Sequence, residues 1–162
     1  MRRKDREVED FDKIIEIISH CDILRLGLAD GEFPYIVPVN FSYTVLDGVI
    51  KFYIHGAMAG RKYELLKKNG FCSFEADNPL GIDLIYSKKA VTMRYESVMG
   101  KAEVRFLEKE EKQSAIDKII MARYSKTRDF EYNVDALSKT AVAELTVTEI
   151  TAKANPFSKE SD

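Results

Sequence analysis

The chain has no tryptophan, two histidines and two cysteines. Cys21 and Cys72 stand far apart and show no metal-ligand spacing. That leaves out a cysteine-based metal site and a disulfide framework, and two reduced, buried thiols are expected instead. No apolar run is long enough to span a bilayer, and the opening Met1-Arg2-Arg3-Lys4-Asp5-Arg6 is too polar for a secretory signal. A cytoplasmic protein is the expectation. The glycine-rich turn of dinucleotide folds (GxGxxG), the phosphate loop GxxxxGK[ST] and the alternating βαβ pattern are all missing. Neither charge sign dominates: 25 basic and 27 acidic residues leave a net charge of −2. Nucleic acid and anionic membrane are thereby excluded as main partners, and any basic site must be local.

What is present suits one globular domain of 162 residues, 45% hydrophobic and 32% charged. Phe11, Ile14, Ile15 and Ile18 repeat at helical spacing behind Asp10, a suitable N-cap. From Tyr35 to Val45 the residues alternate with a period of two, which predicts one long half-buried strand, with Pro38 marking an edge or a bulge. Asp47-Gly48 predicts a hairpin to the next strand. Asn69-Gly70 stops a helix, Phe71–Ala76 reads as a short strand, Asn78-Pro79-Leu80-Gly81 as a turn, and 78–90 as a loop. Val91–Leu107 is strand-like, with a bulge or bend expected near Gly100. A second amphipathic helix carries Ile116, Ile119, Ile120 and Tyr124 inward, a connector covers 125–138, and Ala141–Thr148 is the last strand. Hairpin-linked strands in this order predict a mainly β fold, an antiparallel sheet closing into a barrel with flanking helices.

The most informative stretch is Tyr53-Ile54-His55-Gly56-Ala57-Met58-Ala59-Gly60-Arg61-Lys62. A strand ends at His55, a turn of small residues follows, and a helix begins with two adjacent cations. Cations in a first helical turn oppose the helix dipole. That local conflict is relieved by an anion bound at the same helix N-terminus. Arg61 and Lys62 are therefore candidate phosphate ligands, with His55 beside them. The bland alternatives are a solvated helix face for the two cations and a strand-end histidine for His55.

Four segments carry a family resemblance: Asp30–Phe41, with Tyr35-Ile36-Val37-Pro38-Val39-Asn40 at its centre; Phe52–Lys62; Tyr95–Ala102; and Ile150–Lys153. Together they resemble the FMN-binding split-barrel superfamily of pyridoxamine 5′-phosphate oxidase-like proteins, in particular the branch of 5-nitroimidazole-resistance flavoproteins. The resemblance covers about residues 6–153 and leaves a flexible C-terminal tail. It implies a six-stranded antiparallel split β-barrel in a homodimer, with FMN at the interface. It places Val37, Pro38, Val39 and Asn40 along the flavin ring, and His55, Gly56 and Ala57 against the ring and ribityl chain. Arg61 and Lys62 would hold the phosphate, and Tyr95, Ser97 and Val98 would close the pocket.

The implied activity is reduction or oxidation of a small molecule, such as a nitro compound, with NAD(P)H or another donor, and His55 as the candidate catalytic group. The chain departs from true pyridoxamine phosphate oxidases at its end. Ala152-Lys153-Ala154-Asn155-Pro156-Phe157-Ser158-Lys159 has no Arg, His or Trp to grip a substrate phosphate. Vitamin B6 oxidation is not the expectation. A non-catalytic flavin carrier, a haem protein with His55 as ligand, and a deazaflavin enzyme remain open alternatives.

Overall fold

The alternating stretch from Tyr35 to Val45 looks like one strand in sequence and forms two in the fold. The computed structural model describes residues 3–125 and 133–156; the expected tail and most of the connector lie outside these. Its strands are β1 (Glu7–Val8), β2 (Ile23–Leu28), β3 (Tyr35–Asn40), β4 (Ser42–Leu46), β5 (Val49–Ala57), β6 (Phe71–Ile85), β7 (Ala90–Leu107) and β8 (Thr140–Asn155). Its helices are α1 (Phe11–His20), α2 (Arg61–Asn69), α3 (Lys109–Ala115), α4 (Met121–Tyr124) and α5 (Val134–Ser138); a π-helical turn, Ile116–Ile120, joins α3 to α4.

All strand pairings are antiparallel, in the order β3-β2-β6-β7-β8-β5-β4, with β1 on β8. The hydrogen-bonded path is open, but its two end strands, β3 and β4, are consecutive pieces of chain. Continuity at Phe41 therefore joins what hydrogen bonds do not. This is the split-barrel architecture, with eight strands in place of the expected six. The two extra strands are the short β1 and the product of the break at Phe41.

The break has a physical cause. Phe41 and Ser42 are both buried, so the period of two slips by one residue there. The Tyr124 hydroxyl takes the place of a strand partner: it donates to the Phe41 carbonyl (2.6 Å) and accepts from the Phe41 N–H (3.1 Å). The Arg123 guanidinium lies 4.5 Å from the Phe41 ring centroid. Pro38 sits on β3, an edge strand, where its missing donor costs no ladder bond on the open side.

Local signals elsewhere hold. The Asp10 side chain accepts from the Lys13 N–H (2.9 Å). Asp47 and Gly48 take the left-handed conformations of a tight hairpin. Gly70 ends α2 with φ +72°.

Three expectations need correction. The segment 78–90 is not a loop. β6 and β7 continue through it as a paired ribbon, and Pro79–Gly81 is a bulge rather than a turn. The ribbon holds because the buried Arg94 guanidinium grips Asp83 and donates to Asn155 Oδ1 (3.1 Å). Asn155 consequently belongs to β8, not to a tail. On α1 the buried stripe is Ile14, Ile17 and Ile18, with Phe11 exposed and Ile15 partly buried. The side chain of Ile119 lies outside the described residues.

The main core fills the barrel. Phe41, Phe52 and Phe74 pack edge to face at 5.4 and 5.1 Å. Each such fully buried side chain contributes roughly 2–3 kcal/mol of transfer free energy. A second cluster, including Tyr53, Leu107, Ile116, Ile120 and Val142, seats α3 and the π turn. Among the described residues no helix is long and apolar enough to cross a membrane.

Gly100 is the tightest point of the sheet. The β7–β8 register shifts beside it, between Lys101 and Ala102. A Cβ on Gly100 would stand 2.0 Å from the Glu149 carbonyl oxygen and 2.7 Å from Phe74 Cζ. Gly100→Ala is expected to destabilise the fold by about 2 kcal/mol or more, because the first contact is rigid backbone. Urea unfolding measures this, and an unchanged midpoint would contradict it.

Candidate functional site

Beyond Tyr53, β5 loses one of its two neighbours. β4 pairs with β5 from Leu46↔Val49 to Ser42↔Tyr53, and the chain upstream of Ser42 turns away to pair with β2. Ile54 to Ala57 therefore pairs with β8 on one edge (His55↔Val142, Gly56↔Ala141, Ala57↔Thr140) and has no strand partner on the other among the described residues. β3 comes close to β5 without pairing with it. Two strand edges thus flank a notch, and their backbone polar groups are available to a ligand.

The chain leaves β5 through Met58, Ala59 and Gly60 and enters α2. Gly60 is the N-cap, with φ +97°, a conformation that favours glycine. No side chain caps this helix. Asp10 caps α1 and Asn133 caps α5, while α3 also starts without a side-chain cap. The N–H of Glu64 returns to the Gly60 carbonyl at 3.1 Å. The preceding N–H groups, those of Arg61, Lys62 and Tyr63, have no intrahelical acceptor.

Lys62 folds back from this first turn over β5. A Cβ placed on Gly56 would stand 3.0 Å from Lys62 Nζ, so the glycine makes room for the ammonium. Lys62 forms no ion pair among the described residues, and desolvation lowers its pKa from 10.5. His55 stands at the mouth of the same cleft. It lines the cleft and is exposed by surface area. Desolvation, then the nearby Lys62 charge, lowers its pKa from 6.5. Tyr63, Leu66, Phe106 and Ala143 complete the wall, with the Tyr63 and Phe106 rings 4.9 Å apart. The enclosed space is about 10 Å³, room for a single water.

Arg61 points outward and is 55% exposed at its side chain. Its Nε donates to Asp30 Oδ2 (2.8 Å) and its Nη2 to Asp30 Oδ1. That pairing, first through the hydrogen bonds and then through charge, raises its pKa further. Asp30 lies in the turn after β2. The adjacent carbonyl of Ala29 accepts from Asn69 Nδ2 (3.0 Å), so the turn is strapped to α2.

The structure thus brings His55, Gly56, Ala57 and Lys62 into one cleft, with Arg61 beside it. Val37 and Val39 face the core from β3, while Pro38 and Asn40 face outward on the edge. Tyr95, Ser97 and Val98 lie on β7 and do not line the cleft. The Val98 side chain is 1% exposed, inside the core. Tyr95 lies under the Arg6 guanidinium, 5.9 Å from centroid to CZ.

A larger groove of about 500 Å³ crosses the outer face of β2, β6, β7 and β8, over Gly27, Ser73 and Gly100. Its charges are already matched: Arg25 with Glu75 and Asp77, Lys101 with Glu149. Glu144 is matched too. Burial raises its pKa, but the hydrogen bonds from Lys51 and Tyr53 outweigh this and hold it below 4.5. Among the described residues no group of His, Cys, Asp and Glu side chains could hold a metal ion.

Comparison with known proteins decides the family. The model of the family described as pyridoxamine 5′-phosphate oxidase matches residues 10–154. The chain belongs to this family. Among solved structures, it is similar to a candidate 5-nitroimidazole antibiotic resistance protein from Bacteroides thetaiotaomicron. Identity to that protein is 36%, with 91% of this chain and 85% of that chain covered and a TM-score of 0.77. A flavocytochrome from Azotobacter vinelandii shares the fold at 19% identity, with 99% and 75% covered and a TM-score of 0.78. So does a FAD- and heme-binding protein from Mycobacterium smegmatis, at 14% identity, 96% and 77% covered, TM-score 0.78. A search of curated proteins returns no significant match.

Two contacts around this corner have no local sequence pattern. Asp30 stands in the sequence only as the start of the Asp30–Phe41 segment, with nothing that marks it as the partner of Arg61. Tyr124 was read as one more apolar helix position, although its hydroxyl fixes the β3–β4 break.

His55 is expected to titrate below 6.5 in the ligand-free protein. Its depressed pKa contributes stability that is fully present above pH 6.5 and is lost as pH falls through the folded value. With two histidines in the chain, proton NMR of the ring C–H signals reads this directly. His55→Gln should flatten the urea midpoint between pH 7.5 and 5.5. A His55 pKa at or above 6.5 would contradict the desolvated placement.

Proposed function

We propose that this protein is an FMN-binding flavoprotein that reduces or oxidises a small molecule, with the FMN phosphate at the N-terminus of α2. The observation that carries this reading is the uncapped first turn of α2, where Gly60 stands in place of a capping side chain and the half-buried Lys62 ammonium has no acidic partner. A phosphate there would accept from the N–H groups of residues 61–63, from Lys62 Nζ and from Arg61. It would also relieve the dipole conflict set up by Arg61 and Lys62 in the first turn. Family membership and the flavin-binding structural relatives support a flavin as the phosphate's bearer.

The cleft holds about 10 Å³, far less than a flavin ring occupies. The ring would therefore lie in the notch between β3 and β5, against Pro38, Asn40 and the backbone of Val37 and Val39, with His55, Gly56 and Ala57 opposite. Something must cover its other face. We assign this to a second copy of the chain, which would supply Tyr95 and Ser97. The β6–β7 ribbon supports a homodimer: Ile82, Leu84, Val91 and Met93 pair on one face and are all exposed.

FMN bound here supplies hydride and one-electron chemistry. The chain's own residues bind the phosphate, exclude water from one face of the notch, and hold a proton donor. His55 would hold the proton: with a phosphate balancing the Lys62 charge, its pKa would rise back toward neutrality and the imidazole could give a proton to a reduced substrate. The name of the relative at 36% identity supports a nitro compound as substrate, with NAD(P)H as the electron donor tested first.

The test compares FMN with riboflavin, which lacks the phosphate. The full-length protein is expected to bind FMN with a flavin spectrum and to prefer it over riboflavin. Lys62→Ala should weaken FMN binding by about 1.5–3 kcal/mol, or roughly 10- to 100-fold, as for loss of a charge-assisted hydrogen bond, and leave riboflavin affinity unchanged. Equal affinity for the two flavins would overturn the phosphate seat. Sedimentation of the loaded protein as a monomer would overturn the homodimer.

A further inference from the structure

Arg61 has a partner already, and the geometry of that pair has a consequence for the phosphate. A guanidinium carries five N–H donors in one plane. Asp30 takes one edge, through Nε and one hydrogen of Nη2. Of the remaining hydrogens, one on Nη1 and one on Nη2 form the end-on fork next to that edge, which suits a phosphate, and the other Nη1 hydrogen points back along the side chain.

We propose that Asp30 is a positioning residue of the phosphate seat, which holds the Arg61 guanidinium by its Nε–Nη2 edge and leaves the Nη1–Nη2 end for the anion. This rests on the reading of the α2 N-terminus as a phosphate site.

Three observations favour positioning over competition for the guanidinium. First, Arg61 is long and exposed, so without Asp30 its fork would be spread over many rotamers, and ordering it would oppose binding. Second, Asp30 is itself held. Its turn follows β2, Gly31 takes φ +70°, and Ala29 is strapped to Asn69 at the far end of α2. The carboxylate is only 19% exposed and has little freedom to follow or release the arginine. Third, a phosphate on the Nη1–Nη2 end shares only Nη2 with Asp30, at an exposed surface where water and salt screen the repulsion between the two anions. The seat then has three cationic elements of different kinds: the helix N–H groups, the half-buried Lys62 and the oriented Arg61. Asp30 offsets one charge, which suits the seat to a single phosphate monoester.

Three variants of the full chain, Asp30→Asn, Asp30→Glu and Arg61→Ala, are titrated with FMN and with riboflavin. Asp30→Asn is expected to raise the Kd for FMN about tenfold, the loss of one oriented charged contact, and to leave riboflavin affinity unchanged. A change confined to the phosphate-bearing ligand is what a loss of general stability would not produce. Asp30→Glu should recover part of the FMN affinity. In an Arg61→Ala background, Asp30→Asn should have no further effect. If Asp30→Asn binds FMN as tightly as the wild type or more tightly, while the wild type still prefers FMN to riboflavin, Asp30 competes or is idle, and the proposal falls alone. If the wild type shows no preference for FMN, the phosphate seat fails and takes this proposal with it.

Discussion

The site depends on a break in one strand. Residues 35–46 pair with β2 as far as Asn40 and with β5 from Ser42 onward, two strands that are not hydrogen-bonded neighbours in the sheet. The chain changes partner at Phe41, where two consecutive buried residues shift the side-chain phase and Tyr124 satisfies both backbone groups. One half of the segment then closes on β2 and the other on β5. The notch exists because β3 leaves β5 at that point, and β5 continues alone to His55, Gly56 and Ala57. A packed helix end thus sets the mouth of the site from outside the barrel.

Charge is managed differently inside and outside the site. Away from the cleft, several cations on the sheet meet carboxylates: Arg94 with Asp83, Arg25 with Glu75 and Asp77, Arg105 and Lys51 with Glu144. At the cleft, Lys62 is drawn out of water over a glycine and given no such partner, beside a histidine that also loses hydration. Desolvating a cation without pairing it costs free energy. A half-buried cation with no carboxylate partner among the described residues supports the proposed phosphate seat on physical grounds, apart from the family to which the chain belongs.

Much of this was legible in the residues, for reasons that differ from place to place. Asp10, Asp47-Gly48 and Gly70 announce helix and hairpin ends because backbone conformation is decided locally. The Gly60-Arg61-Lys62 run is legible because it contradicts a local rule. The break at Phe41 was hidden, since period-two alternation continues on paper across a point where the fold changes partner. The β6–β7 ribbon was hidden as well: Asn78-Pro79-Leu80-Gly81 has turn chemistry, and only long-range pairing with Tyr95 and Arg94 makes it a bulge. Asp30 and Arg61 are 31 positions apart, and their ion pair is a product of topology that no local pattern encodes.

The central claim is that one corner of the molecule, the first turn of α2, seats a phosphate. Backbone amide NMR of the isotopically labelled protein during an FMN titration tests it most directly. With a phosphate seated there, the amide signals of residues 60–63 and Gly56 move first and farthest, in step with the His55 ring signals, and inorganic phosphate moves the same subset. Shifts confined to the outer groove around Gly27, Ser73 and Gly100, with residues 60–63 unmoved, would contradict it.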